Sequence, residues 1–121
     1  MTHQVHDIET YRVIFTFAYE NPDNPEESGL FEVSRRKNDY PKLLKFLKDM
    51  KTNDDSLVGF NNLGFDYPVI HELMANCEAD AKAQDIINIA YDHGQKIIGT
   101  PFEQRFSNMV YEDDWEVDQI D

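Results

Sequence analysis

Apolar positions along the chain change period several times, and each change marks a predicted element. Arg12 to Glu20 (R-V-I-F-T-F-A-Y-E) is rich in β-branched and aromatic residues and predicts a strand, with Val5 to Glu9 a shorter strand before it. Asn21 to Ser28 carries two prolines, two asparagines and Asp23, a strong turn signal. Gly29 to Ser34 then returns as a third strand. Three strands with short connections make an antiparallel meander the natural arrangement.

Helical spacing follows. Asp39 is placed to cap a helix with Pro41 in its first turn, where the missing N–H costs little. Leu43, Leu44, Phe46, Leu47 and Met50 form its apolar face, and Lys42, Lys45, Lys48 and Lys51 a basic stripe on another. Ser56 to Phe60 (S-L-V-G-F) predicts a short buried strand. Tyr67 to Ala75 and Ala79 to His93 predict helices, the second running through Ala83, Ile86, Ile87, Ala90 and Tyr91 to a C-cap at Gly94. Thr100-Pro101 opens another short helix. Trp115, Val117 and Ile120 predict a last strand ending with the chain, which suggests a truncation. The order β-β-β-α-β-α-α-β predicts an α/β fold: a three-stranded antiparallel meander, then parallel strands, with flanking helices.

Composition bounds what such a domain does. A length of 121 residues fits one domain able to bury a real core. No apolar run approaches the roughly 20 residues that span a bilayer, and residues 1–7 lack the apolar stretch of a secretory signal. The expected compartment is the cytoplasm, with no membrane partner. The single cysteine, Cys77, makes no internal disulfide and reads as a packing residue. The net charge of −13 argues against a general polyanion-binding surface. Seven of the eleven basic residues nevertheless fall between Arg35 and Lys51. That window is +5 and the remainder −18, so nucleic acid must meet this patch or metal ions held by carboxylates. The tail from Glu103 to Asp121 holds seven acids and only Arg105.

Two groups of carboxylates carry candidate chemistry. Asp7 and Glu9 are two apart in a predicted strand, so their side chains share a face. A close carboxylate pair needs a proton or a cation, and Mg²⁺ or Mn²⁺ suits hard oxygen ligands. Asn61-Asn62-Leu63-Gly64-Phe65-Asp66 follows the strand beginning at Ser56, and such loops gather functional residues in α/β sheets. Asp66 can cap the helix that contains Pro68 and still serve as a ligand. The four histidines have no metal-type spacing.

The segments D-I-E-T, from Asp7, and G-F-N-N-L-G-F-D-Y-P, from Gly59, resemble the first two motifs of DEDD-type 3′–5′ exonucleases. The closest likeness is to proofreading domains of phage-type family B DNA polymerases. Asp7 and Glu9 match the D-x-E motif, and Asn61, Phe65 and Asp66 match N-x-x-x-F-D. The resemblance covers most of residues 5–75 and implies a ribonuclease H-like fold. It also implies a two-metal phosphodiesterase using Mg²⁺ or Mn²⁺, with the 3′ end of single-stranded DNA as substrate. Asp7 would bridge the ions, Glu9 would hold the ion that activates water, and Asp66 would hold the other. Asn61 and Phe65 would orient the terminal nucleotide. The implied setting is DNA replication in a bacterial or infected host cell, with the rest of a polymerase as partner.

The third motif of that family, Y-x-x-x-D or H-x-x-x-x-D, has no counterpart after Asp66. Tyr111 and Asp114 are three apart, not four. The chain therefore reads as a single partial exonuclease-like domain over residues 1–121, weak or inactive alone. Asp114, Asp118 or Asp121 could stand in for the missing ligand. The alternative is a non-catalytic acidic protein that binds a basic partner through Glu112, Asp113, Asp114, Glu116 and Asp118.

Overall fold

The computed structural model describes residues 2–121. Strand β1 (His3–Thr10) alternates strictly, with Gln4, His6 and Ile8 buried and Val5, Asp7 and Glu9 exposed. It pairs antiparallel with β2 (Ile14–Asn21), Ile8 opposite Phe17 and Asp7 opposite Ala18. Strand β3 (Asn24–Ser34) pairs antiparallel with β2. It begins at Asn24 rather than Gly29, because the turn needs only Pro22 and Asp23. Asn21 Oδ1 accepts from the Asp23 N–H at 3.0 Å and its amide donates to Glu27 at 3.0 Å, so side chains close the hairpin locally.

Helix α1 (Tyr40–Thr52) carries the chain to β4 (Ser56–Val58), which lies parallel to β1. Helices α2 (Tyr67–Asn76) and α3 (Ala83–Gly99) follow, then 3₁₀ turns at Phe102–Asn108 and Glu112–Asp114. Strand β5 (Asp118–Ile120) closes the order β3-β2-β1-β4-β5, parallel to β4. The fold is α/β, with an antiparallel meander extended by two parallel strands. Among the described residues no helix is long and apolar enough to cross a membrane.

The core lies on the face of the sheet that carries Ile8, Phe15, Phe17 and Val33. Phe46 of α1 meets Tyr19, Phe31 and Phe17 there, with ring centres 4.5, 5.4 and 5.9 Å apart. The hydroxyl of Tyr40 donates to the carbonyls of Leu73 (3.2 Å) and Cys77 (2.8 Å), tying α1 to the end of α2. The opposite face, with Val5, Asp7, Glu9 and Leu30, stays exposed.

Three local expectations are corrected. Asp39 precedes α1 but does not cap it through its side chain. Its carboxylate instead accepts from the Glu32 N–H at 3.0 Å and pairs with Lys37 at 3.3 Å. Gly94 lies inside α3, where a Cβ would stand 3.1 Å from Thr10 Oγ1 and 3.3 Å from the Phe65 ring. It is a point of close packing, not a helix end. Phe60 is not buried with the strand before it: β4 stops at Val58 and Phe60 is 98% exposed.

The last strand is anchored through Tyr67, whose hydroxyl accepts from the Glu116 N–H at 2.7 Å. Tyr67→Phe removes that acceptor from a half-buried amide and is expected to cost about 1–2 kcal/mol. Urea denaturation measures it, and an unchanged midpoint would show that solvent replaces the bond freely.

Candidate functional site

Asp66 reaches β1 because β1, β4 and β5 run parallel. β4 ends opposite Val5, so β1 continues past it and the Ile8 N–H has no strand partner on that side. The chain leaves β4 through Asn61, which takes a left-handed conformation (φ 51°), and passes through a π-helical turn at Asn62–Asp66 into α2. That turn delivers Asp66, whose Oδ2 accepts from Ile8 N at 3.3 Å, between Asp7 and Glu9 in the chain. Asp66 precedes α2 without capping it by a side-chain bond.

Burial in the first place, then the charge of Asp7, and further the charge of Asp121, push the Asp66 carboxyl up to about 7; the Ile8 N–H opposes them. Asp66 thus faces negative charge with no lysine or arginine paired to it among the described residues; its close titratable neighbour is His6. Nε2 of that histidine lies 3.9 Å from Asp66 Oδ2, and burial lowers its pKa. Nδ1 is 3.1 Å from the Val58 carbonyl, so a proton there donates to it and Nε2 is left without a partner. Glu32, also buried, is the opposite case. Arg36 grips it at 2.8 and 2.9 Å and Ser34 donates at 2.6 Å, holding its carboxyl at about 2.

Asp121 follows β5 as the Asn61–Asp66 segment follows β4. Its Oδ2 accepts from the Leu63 N–H at 3.2 Å. Of the three carboxylates weighed as an extra ligand, Asp121 is the one found at this end of the sheet. Asp118 accepts from Ser56 at 2.6 Å where β4 begins, and Asp114 belongs to the turn before β5. Among the described residues no three His, Cys, Asp or Glu side chains stand together at the spacing of an assembled metal site.

Comparison with protein-family models, with curated proteins and with solved structures finds no match.

The other predicted site residues fall into place unevenly. Asn61 is exposed at the mouth of the turn, with its side chain over Gly64. The half-buried Phe65 ring rests against Gly94 of α3, so packing occupies part of the ring assigned to the nucleotide. Asn62, which belongs to neither motif match, carries structural weight. It is fully buried and donates to Gln119 of β5, and its Oδ1 is unpartnered. The doubled Asn-Asn is the available signal, since one residue supplies the left-handed turn and the other the inward amide. The lysine stripe lies on α1, over the covered side of the sheet, whereas Asp7 and Glu9 project from the uncovered side. Within it Lys45 pairs with Asp49 and Lys51 with Glu116. Of the five acids proposed to attract a basic partner, Glu116 and Asp118 are therefore engaged within the molecule.

Proposed function

We propose that this chain forms part of a metal-dependent 3′–5′ exonuclease domain of ribonuclease H-like type, with Asp7, Glu9 and Asp66 as its ligands and single-stranded DNA as substrate. One observation carries the reading. Asp66, 58 residues away in sequence from Ile8, accepts the N–H of the residue between Asp7 and Glu9. Two motifs that resemble those of one nuclease family thus meet at one end of the sheet.

The donor set suits a hard divalent ion. Asp7 and Glu9 share the open face of β1, and the Asp66 carboxyl, pushed up to about 7 chiefly by burial and then by Asp7, carries repulsion that a cation relieves. Mg²⁺ or Mn²⁺ bound here would lower the pKa of a bound water and stabilise charge on the leaving oxygen. The protein's own part is positional. The Ile8 N–H orients Asp66, β1 presents Asp7 and Glu9 on the open face where a nucleic-acid strand has access, and Asn61 stands exposed at the start of the turn that delivers Asp66. The resemblance calls for a further carboxylate, and Asp121 supplies charge at that place without matching the third motif.

Mn²⁺ is expected to raise the melting temperature of the unaltered protein. At a hundredfold excess over the dissociation constant the linkage is worth about 2.7 kcal/mol. Asp7→Asn should abolish that rise without lowering the metal-free melting temperature, since it relieves the repulsion on Asp66. A rise that survives in Asp7→Asn would place the ion elsewhere and remove the nuclease reading.

A further inference from the structure

Beside Asp121 lies a cavity of about 420 Å³ between the Asn61–Gly64 turn and the 3₁₀ segment Phe102–Asn108. Asn61, Leu63, Ile97, Phe102, Phe106 and Asp121 line it. Its size falls within the roughly 300–1,000 Å³ of small-ligand sites. Asp121, which accepts from the Leu63 N–H at 3.2 Å, belongs to this wall, so the cavity lies along the turn that leads to Asp66.

The segment that forms the outer wall is unlike the rest of the acidic tail. Phe102 is 73% exposed and Phe106 54%, in a stretch with no buried residue. Arg105 lies against both, its guanidinium carbon 3.9 Å from the centre of the Phe102 ring and 4.4 Å from that of Phe106. Nη1 donates to the Phe102 carbonyl at 2.9 Å, which fixes the fork further. Among the described residues no carboxylate comes within 4.0 Å of it, although Arg105 is the one basic residue among seven acids in this stretch. The segment is held at both ends. Asn108 donates to Thr100 Oγ1 at 2.8 Å, and that hydroxyl donates to the Lys96 carbonyl at 2.7 Å.

We propose that this cavity and the Phe102–Arg105–Phe106 cluster form a subsite for the last nucleotides of a single nucleic-acid strand, bases against the phenyl rings and phosphate on Arg105. The argument is chemical complementarity. Exposed rings offer stacking to any base, and a guanidinium free of carboxylates is the group a phosphodiester requires. A strand entering an otherwise acidic surface needs such a fixed cation next to the point where divalent ions would screen the carboxylates. The inference rests on the nuclease reading for its occupant, and it adds residues that neither motif contains.

The test is the fluorescence anisotropy of a labelled oligothymidylate with a hydrolysis-resistant 3′ linkage, in Mn²⁺, against the full chain. Arg105→Gln and Phe106→Ala are each expected to weaken binding about tenfold, with unchanged melting temperature because both side chains are exposed. Lys42→Gln on α1 is expected to bind as the unaltered protein does. If both variants keep full affinity while Asp7→Asn loses it, the subsite is overturned and the nuclease reading stands. If the unaltered protein does not bind, both are overturned. If Lys42→Gln is the damaging change, the strand follows the basic helix and the subsite is overturned. A doubled mass in solution that Phe106→Ala returns to the monomer, with no effect on the oligonucleotide, would assign the rings to self-association instead.

Discussion

Asp66→Asn is expected to stabilise the cation-free protein at pH 8 by roughly 2–4 kcal/mol, and the gain should vanish near pH 4. The folded protein holds the Asp66 carboxyl at about 7, against a reference of 3.8. A carboxyl whose pKa is raised by folding binds its proton more tightly in the native state. Its contribution is therefore full below the unfolded value and is lost as pH rises through the folded one. The difference between variant and unaltered protein should grow from pH 4 to pH 7 and then level off. His6 and His93, lowered by burial, act in the opposite sense: they add stability as pH rises toward 6.5. Both remain in the variant, so the difference curve reports Asp66 and its coupling to His6. Asparagine keeps an oxygen for the Ile8 N–H, so the change removes charge more than structure. Mn²⁺ at pH 8 should recover the lost stability in the unaltered protein and not in Asp66→Asn. Parallel stability curves across pH 4–8 would mean that Asp66 is not held protonated, and the electrostatic argument for a cation there would fail.

Phe17→Ala is expected to cost about 3–5 kcal/mol, a third or more of the stability of an ordinary domain. The ring is fully buried in the middle of β2 and stacks on His6 at 5.3 Å, with Phe46 at 5.9 Å and Phe31 at 6.1 Å. Removing it opens a cavity between the sheet and α1 and withdraws the support beneath His6, which stands next to Asp66. The urea midpoint should fall with an unchanged slope. Phe60→Ala is the control: Phe60 is 98% exposed, so the same deletion should stay within about 0.5 kcal/mol. A loss below about 1 kcal/mol in Phe17→Ala would show that the aromatic layer does not hold the sheet to α1.

The strand and helix order was legible because its signals are local. Alternation in β1, aromatic density in β2, and the Leu43–Met50 periodicity of α1 all reflect one buried face per element, a property of each segment alone. Boundaries depart from the local signal where tertiary contacts override it. Gly94 looks like a helix end because glycine usually marks one, yet here it lets α3 approach Thr10 and Phe65. Asp39 has the chemistry of a cap, but the Glu32 N–H claims its carboxylate first. Phe60 counts as apolar in any window, and only the halt of β4 at Val58 turns it to solvent.

For the candidate site the sequence alone determined which residue types are available, their order, and that Asp7 and Glu9 share a strand face, since side chains alternate along any strand. What the tertiary structure decided is which of them meet. The pairing of β4 with β1 leaves the Ile8 N–H free for Asp66, and the pairing of β5 with β4 brings Asp121 toward the same end while leaving Asp118 at the other. No spacing rule contains that choice, because it depends on the direction and length of parallel strands joined by long crossovers. The shift of the Asp66 carboxyl and the isolation of Arg105 from the surrounding acids follow from the same packing, since both depend on charges brought near or kept away through space.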